Sequence, residues 1–261
     1  MPKQADEAVL NTIVEAALDA GTIVRQYFSS PEVEVREKTS PADLVTNVDM
    51  RVHDSVSSIF RREHPKVALI SEEGENAPAT EETVYVDPVD GTLNFVHGFP
   101  QFAVSVGYWR EGAPVAAAVH NPISGELYTA LRGKGARLNG KRISVSTTPR
   151  LCNSLLATGW PYDKEDRTRI FDRIERGYLN AQEIRTLGSA SLSLCYVAAG
   201  IMDGYWEFDL YPWDMAAGAL IVLEAGGRLS SLKGGPFHLE KGSIVASNGR
   251  IHSELVRKVT R

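Results

Sequence analysis

Residues 84–95, VYVDPVDGTLNF, change from the pattern of a buried strand to that of a polar turn. Apolar and aromatic residues predict a strand that ends at Asp87, and a proline, Asp90 and a Gly-Thr pair follow. Because proline fixes its backbone φ at about −65°, the segment that joins the two aspartates is stiff. Two carboxylates held at a fixed spacing after an apolar strand predict a site in which both side chains act together.

The whole chain of 261 residues has the composition of an ordinary soluble globular protein, with 43% apolar and 23% charged residues. Its formal net charge of −5 gives no broad basic surface, which argues against nucleic acid as a partner. No apolar run approaches the roughly 18 residues of a membrane span, and the N-terminus lacks the layout of a signal peptide. Cys152 and Cys195 stand in no metal-ligand spacing, so we expect two reduced core thiols in a cytoplasmic protein.

Helical and strand patterns alternate along the chain, which predicts a layered protein of the α+β class. Apolar residues with helical spacing predict a helix over 48–64 that ends before a proline. The preceding segment, residues 38–49, is polar and predicts irregular turns. The length favours a single domain over 1–261, with an N-terminal α+β half of about 1–150 and a C-terminal α/β half of about 151–261.

Four acidic residues from distant parts of the chain share one setting, the end of an apolar element. Glu72 follows the run VALIS, Asp87 and Asp90 follow VYV, and Asp214 opens an alanine-rich helix. Each alone has a purely structural explanation, as a loop acid, a turn former or a helix cap. Together, buried carboxylates would repel one another unless a divalent cation lay among them. Oxygen ligands without histidine or cysteine select Mg²⁺ over zinc or copper, and the carbonyl of Val89 is a further candidate ligand.

Gly91 and Thr92 add the features of a phosphate site. A glycine lets the backbone approach an anion closely, and N–H groups at the start of a following helix bind phosphate. The DxxD spacing differs from the DxD of phosphatases that form an aspartyl-phosphate, which favours an activated water over a covalent aspartate. A Mg²⁺ cluster beside a phosphate site predicts phosphoryl-transfer chemistry.

Two longer segments carry a resemblance to a known family. DPVDGTLNFVHGFP (87–100) resembles the first signature of the inositol monophosphatase family, and PWDMAAGALIVLEAGG (212–227) resembles its second. The order of the other motifs is similar to that of bacterial members over nearly the whole chain. The resemblance implies the layered α/β/α/β/α sandwich of inositol monophosphatases and fructose-1,6-bisphosphatases, and a homodimer.

The resemblance also assigns roles to individual residues by their position in the matching motifs. It implies that two or three Mg²⁺ ions are bound by Glu72, Asp87, Asp90, Asp214 and the carbonyl of Val89. It implies phosphate contacts from Gly91 and Thr92. The catalytic residues that order and deprotonate the attacking water would be Asp49, Thr92 and Glu72. Substrate contacts are implied for Asp90, Ser189, Ala190, Glu207 and the mobile-loop lysine Lys38.

The activity implied is that of a Mg²⁺-dependent phosphomonoesterase, an inositol-phosphate phosphatase inhibited by lithium. Its substrate would be inositol 1-phosphate or a related polyol or sugar phosphate, attacked by a metal-activated water without a phosphoenzyme. Histidinol phosphate, fructose 1,6-bisphosphate and 3′-phosphoadenosine nucleotides remain alternative substrates.

Two further expectations concern regulation and packing. Because some bacterial relatives are associated with the transcription machinery, a regulatory partner of that machinery is an alternative from another functional class. The aromatic residues Trp206, Tyr211 and Trp213 are expected in the core or at a dimer interface, more than in a substrate platform.

Overall fold

The structure is a computed structural model, which describes residues 4–74, 78–160 and 167–259. In these ranges the helices are α1 (Gln4–Tyr27), α2 (Asn47–Glu63), α3 (Thr92–Val96), α4 (Arg167–Asn180), α5 (Ala190–Ala198), α6 (Pro212–Glu224) and α7 (His252–Val259). The strands are β1 (Val35–Ser40), β2 (Asp43–Thr46), β3 (Ala68–Ser71), β4 (Glu82–Asp90), β5 (Ala103–Arg110), β6 (Ala113–Asn121), β7 (Glu126–Leu131), β8 (Gly135–Leu138), β9 (Lys141–Arg142), β10 (Leu155–Thr158), β11 (Glu183–Thr186), β12 (Gly204–Phe208), β13 (Arg228–Ser230) and β14 (Ser243–Ser247). Short 3₁₀ turns lie at Leu151–Asn153 and Leu239–Lys241.

Two large sheets and one hairpin organise these strands. The first sheet has the order β3-β4-β5-β6-β7-β8-β9, and the second has the order β11-β10-β12-β14-β13. In the first sheet β3 and β4 are parallel, and the remaining neighbours are antiparallel. In the second, β10 runs parallel to both β11 and β12. The carboxyl ends of parallel strands therefore meet at one edge of each sheet, which is where ligands bind in many α/β proteins.

Five layers follow from the way apolar faces are buried. One face of the first sheet packs against α1 and α2, in a core that includes Ile13, Val52 and Val104. Its other face shares a core with α5, α6 and the second sheet. The outer face of the second sheet packs against α4 and α7, around Trp206 and Leu255. The order is α/β/α/β/α, as predicted, and burying each large apolar side chain contributes about 1.5–3 kcal/mol.

The central helix α6 lies unusually close to the first sheet because a strand glycine faces it. A Cβ atom placed on Gly107 of β5 would lie 2.7 Å from the backbone nitrogen of Ala217. Only glycine allows this approach without a shift of the helix. The contact fixes the height of α6 over the sheet and, with it, the position of the helix's first residues.

The structure corrects several sequence predictions. Residues 38–49 are not irregular, because β1 and β2 pair as an antiparallel hairpin whose end leads directly into α2. β1 is largely solvent-exposed and β2 is partly buried, and residues 38–46 show no regular apolar alternation that would have marked them as a strand pair. Cys195 is buried as expected, but Cys152 is exposed, so only one of the two is a core thiol.

Trp206, Tyr211 and Trp213 were expected in the core or at a dimer interface, and they differ in how far they are buried. Trp206 is fully buried in the core. Tyr211 is 54% exposed and stacks on Trp213, with ring centroids 4.9 Å apart. Tyr211 is therefore not a core residue of this chain. Among the described residues, no helix has the length and apolar character needed to cross a membrane.

Candidate active site

A cavity of about 460 Å³ opens where the carboxyl ends of β4 and β12 approach the first residues of α5 and α6. Ten of the twelve residues that the sequence assigns to a site line this cavity: Glu72, Asp87, Val89, Asp90, Gly91, Thr92, Ser189, Ala190, Glu207 and Asp214. The other two, Asp49 and Lys38, do not line it but contact residues that do. The fold therefore brings together acids that are far apart in the sequence.

The register of the parallel pair β3–β4 places Glu72 beside Asp87. Ser71 is paired with Val86, and the backbone N–H of Glu72 donates to the carbonyl of Val86 at 3.2 Å, which extends the ladder by one residue. The carboxylate of Asp87 is buried and accepts a hydrogen bond from the N–H of Val89 at 3.1 Å. The two strand ends thus hold these carboxyl groups side by side.

Asp90 is anchored at the N-terminus of α5. Its carboxylate accepts hydrogen bonds from Ser189 Oγ at 2.6 Å, from Ala190 N at 3.2 Å, and from both N and Oγ of Ser191 at 2.7 and 2.5 Å. The first N–H groups of a helix lack partners within the helix and favour a negative charge. Ser191 was not predicted; it is the second residue of α5, and the sequence signal near it is the N-cap serine Ser189.

Gly91 and Thr92 turn the chain from β4 into α3. Gly91 has φ 101°, and a Cβ there would lie 3.0 Å from the carbonyl oxygens of Gln101 and Gly188. Both the backbone conformation and the space therefore require glycine. Thr92 Oγ1 lies 2.9 Å from the carbonyl oxygen of Val89 and 3.3 Å from Asp49 Oδ1, so this hydroxyl connects two predicted site residues.

Asn94 is a second residue that the sequence reasoning did not assign to the site. Its Nδ2 donates to the carbonyls of Gln101 and Leu187, at 2.6 and 2.7 Å. These bonds join the turn after β4 to the loop before α5, 93 residues further along the chain. Asn94 therefore fixes the spacing between the Gly91–Thr92 turn and the segment that holds Ser189.

Two of the acids also cap the helices that carry them. Asp49 is buried at the third position of α2 and accepts a hydrogen bond from the N–H of Thr46 at 2.8 Å. Asp214 occupies the same position in α6 and accepts from the N–H of Tyr211 at 2.7 Å. Asp214 is therefore not the N-cap that the sequence allowed, since Tyr211 holds that position, but its carboxyl group caps the helix from the third position and also lines the cavity.

Burial and mutual repulsion raise the pKa values of the clustered acids. Burial first, and then the neighbouring carboxylates, raise the pKa of both Asp87 and Asp214 well above the usual value for aspartate. Burial raises the pKa of Asp49 to about 7, although the hydrogen bond from Thr46 opposes this change. Burial likewise raises the pKa of Glu207 to about 8, against a hydrogen bond from Tyr205. A nearby cation would lower all of these pKa values.

Lys38 is the cation that faces this cluster. Its Nζ lies 2.8 Å from Glu72 Oε1 and also forms an ion pair with Glu73. Burial lowers the pKa of Lys38, but the two carboxylates outweigh that effect and raise it above the ordinary value. Lys38 therefore contacts acids at the cavity edge, and a direct substrate contact stays a prediction.

The donor chemistry of the cavity fits Mg²⁺. Its described lining offers carboxylates, hydroxyls and backbone carbonyls, with no histidine or cysteine, and hard oxygen ligands are those that Mg²⁺ prefers. As placed, no three His, Cys, Asp or Glu side chains of the described residues are grouped as ligands of one ion. The fit therefore rests on the oxygen donors and on carboxylates that raise one another's pKa values.

The fold and this acidic cavity are those of a phosphatase with an α/β/α/β/α sandwich. A model of the inositol monophosphatase family matches residues 5–261, and the chain belongs to that family. Members of this family are generally Mg²⁺-dependent. The sequence-based identification of the family and of its fold is confirmed.

Individual relatives agree with this assignment. The chain is 40% identical to the inositol-1-monophosphatase of Rhizobium meliloti, over 98% of each chain. It is 39% identical to the Nus factor SuhB of Escherichia coli K12, over 93% of this chain and 92% of that protein. The crystal structure of extragenic suppressor protein suhB from Bartonella henselae superposes with a TM-score of 0.92 at 38% identity, covering 97% of this chain and 99% of the other.

Proposed function

We propose that this protein is a Mg²⁺-dependent phosphomonoesterase that hydrolyses inositol 1-phosphate or related polyol and sugar phosphates. One observation carries the proposal: acids from separate segments, buried at Asp87 and Asp90 and partly buried at Glu72 and Asp214, line one cavity beside the Gly91–Thr92 turn. Such a cluster is costly without a cation, and a cation beside backbone N–H groups that can bind phosphate suits phosphate-ester hydrolysis.

In this proposal two or three Mg²⁺ ions are held by Glu72, Asp87, Asp90, Asp214 and the carbonyl of Val89. Bound Mg²⁺ supplies Lewis acidity, which lowers the pKa of water and neutralises charge on the leaving oxygen. The N–H groups of Gly91 and Thr92 bind the phosphate oxygens. Ser189, Ala190, Asp90 and Glu207 contact the alcohol, and Lys38 approaches from the β1–β2 hairpin.

The proton of the attacking water passes to the chain's own carboxylates. Thr92 Oγ1 lies between the Val89 carbonyl and Asp49, so it orients a water through its hydroxyl oxygen. Asp49 Oδ1 accepts a hydrogen bond from Thr92 Oγ1, so it can receive the proton of the water through that hydroxyl, and bound Mg²⁺ would hold the pKa of Asp49 below the value of about 7 that burial gives. Water oxygen bonds to phosphorus, the bond from phosphorus to the ester oxygen breaks, that oxygen takes up a proton from solvent, and the alcohol and inorganic phosphate leave, with no phosphoenzyme.

A phosphate-release screen tests the proposal and separates its alternatives. Inositol 1-phosphate, a sugar phosphate, histidinol phosphate, fructose 1,6-bisphosphate and a 3′-phosphoadenosine nucleotide would each be offered with and without Mg²⁺. We expect Mg²⁺-dependent release that is fastest with the polyol or sugar phosphates, and inhibition by lithium. Absence of phosphate release from every one of these esters at saturating Mg²⁺ would contradict the proposal.

A homodimer and a cytoplasmic location belong to the same proposal and rest on the family resemblance. Light scattering coupled to size-exclusion chromatography measures the first. A mass near the 28.6 kDa of one chain, instead of twice that value, would contradict the dimer. Cell fractionation measures the second.

A regulatory role in transcription is the second candidate, because the relative from Escherichia coli is named a Nus factor. This role does not require catalysis, so it predicts capture of RNA polymerase by both the native protein and Asp90→Asn. The acidic net charge of −5 makes a protein partner more suitable than direct RNA contact. Loss of capture in both proteins, with phosphatase activity intact in the native one, would leave the enzyme as the sole function.

A further inference from the structure

One wall of the cavity carries aromatic side chains, which recognition of a polyhydroxylated alcohol does not require. Trp160 and Phe171 line the cavity together with the acids. Their side chains remain 44% and 58% exposed, and their rings touch, with centroids 5.6 Å apart and planes inclined by 58°. A single exposed aromatic residue is ordinary on a protein surface, but two in contact at the mouth of an acidic cavity form an apolar binding surface. We call these two residues the aromatic rim.

Strand pairing fixes the position of Trp160 relative to the alcohol side of the cavity. Thr158 ends β10, pairs in parallel with Trp206 of β12, and donates its hydroxyl to the Trp206 carbonyl at 2.8 Å. A Cβ on Gly159 would lie 2.0 Å from Glu207 Oε1. The backbone just before Trp160 therefore runs directly against Glu207, the residue proposed to contact the alcohol.

Phe171 reaches the same place from the first turns of α4. The guanidinium carbon of Arg173 lies over the ring of Phe208, 4.9 Å from its centroid, which holds the start of α4 against the end of β12. Phe208 itself lines the cavity. Trp160 thus follows the end of β10, and the helix that carries Phe171 packs on the end of β12, so both rim residues lie by strand ends of the second sheet.

We infer that the aromatic rim determines substrate specificity, by packing against a flat apolar group on the alcohol of the phosphate ester. The inference rests on the proposed function, since it concerns the leaving alcohol of the same reaction. The polar groups of Ser189 and Glu207 would hydrogen-bond hydroxyls of the alcohol, and the rim adjoins them through the Gly159–Glu207 contact. A cavity of about 460 Å³ is within the range of small-molecule sites and has room for an aromatic alcohol.

Matched esters and matched variants test the inference. Benzyl phosphate and cyclohexylmethyl phosphate release similar primary alcohols, but only the first has a flat aromatic ring, and every ring carbon of inositol 1-phosphate carries a hydroxyl or the phosphate. Trp160→Ala removes the side chain on which the benzyl ring would stack. It should therefore lower kcat/KM for benzyl phosphate by about tenfold. The loss should be mainly in KM, and kcat/KM for inositol 1-phosphate should change less than about twofold. Trp160→Phe should keep most of the activity on benzyl phosphate, and Phe171→Ala should repeat the effect of Trp160→Ala.

The outcomes separate this inference from the proposed function. If the native protein hydrolysed none of the three esters, the proposed function itself would be contradicted. Equal losses on all three esters, or none, would overturn the specificity role while leaving the phosphatase in place. Unchanged rates with an altered oligomeric state in Trp160→Ala would assign the rim to a contact between protein chains and would also overturn it.

Discussion

At the scale of single residues, Asp90 combines a proposed role in the site with firm anchoring by the protein. It is proposed to bind Mg²⁺ and the alcohol, yet four hydrogen bonds from Ser189, Ala190 and Ser191 already hold its carboxylate. Burial raises the pKa of Asp90, and those hydrogen bonds oppose the change. The N-terminus of α5 therefore keeps Asp90 in place and favours its charged form.

Replacing the Asp90 carboxylate by an amide should almost abolish catalysis. Asp90→Asn removes a negative charge and points an NH₂ group at a site built from donors and, in the proposal, a cation. We expect a loss in kcat/KM on the order of a thousandfold or more, measured by phosphate release with saturating Mg²⁺. The far-UV circular dichroism spectrum should stay native. Asp172→Asn, on the exposed surface of α4, is the control, and a near-normal rate in Asp90→Asn would refute the role.

Ser191 should act on catalysis only by positioning Asp90. Ser191→Ala deletes one donor to the carboxylate but keeps the backbone N–H bond. We expect the Mg²⁺ concentration for half-maximal activity to rise by about 10- to 100-fold, as when a partner of a metal ligand is lost. Ser193→Ala is the matched control, since its hydroxyl donates to the Ser189 carbonyl within the same helix and not to Asp90. Equal Mg²⁺ dependence in the two variants would remove Ser191 from the positioning role.

At the scale of elements, helices were easier to predict than the ends of strands. The helix expected over 48–64 is α2, Asn47–Glu63, because its buried residues repeat with helical spacing. The strand expected to end at Asp87 continues to Asp90, and its pairing with β5 shifts register between these two residues. Pro88 lies within that irregularity, where a missing N–H is tolerated. The local sequence pattern therefore predicts strand β4, whereas its pairing with β5 determines the residue at which β4 ends.

The docking of α7 should make stability depend on pH. His252 is buried between Ser247 and Ser230, whose hydroxyls lie 2.8 and 2.9 Å from its ring nitrogens. Burial first, and then the charge of Arg228, lower the pKa of His252 from 6.5 to about 4. Below pH 6.5 the unfolded chain gains a proton at this position that the folded chain does not, so stability should fall as the pH drops from 6.5 to 4.

Urea unfolding at pH 4 to 8 measures this effect. His252→Gln cannot take up the proton, so its stability should fall less between pH 6.5 and 4 than that of the native protein. His238→Gln, at an exposed histidine, is the control and should follow the native profile. Parallel pH profiles for the native protein and His252→Gln would show that this histidine does not couple folding to pH.

At the scale of the whole molecule, one core joins the two sheets. It contains Tyr85 and Val119 from the first half of the chain and Leu194, Ala217 and Ala246 from the second. In its centre α5 and α6 are so close that a Cβ on Gly218 would lie 2.5 Å from a side-chain carbon of Leu194. We therefore propose that residues 1–261 fold as a single domain, and that its two halves do not unfold separately.

Unfolding should accordingly be one transition that a single core mutation shifts as a whole. Leu194→Ala should lower the free energy of unfolding by about 2–5 kcal/mol, because it leaves a cavity between the layers. Tryptophan fluorescence and far-UV circular dichroism, followed in urea, should give coincident curves. Leu179→Ala, at a residue that is 71% exposed, should change stability by less than about 0.5 kcal/mol. Two separate transitions, with only one shifted by Leu194→Ala, would contradict the single domain.

The sequence by itself determined the layered fold, the family and the acids that line the cavity, because these depend on local periodicity and on motifs such as DPVDGT. Only the tertiary structure decided the contacts that Asp90 makes with Ser191, 101 residues away, and the pairing of Lys38 with Glu72. The aromatic rim likewise arises where β10 and α4 meet β12. Such contacts depend on how separate elements pack, and no local pattern records which side chains will face each other across a cavity.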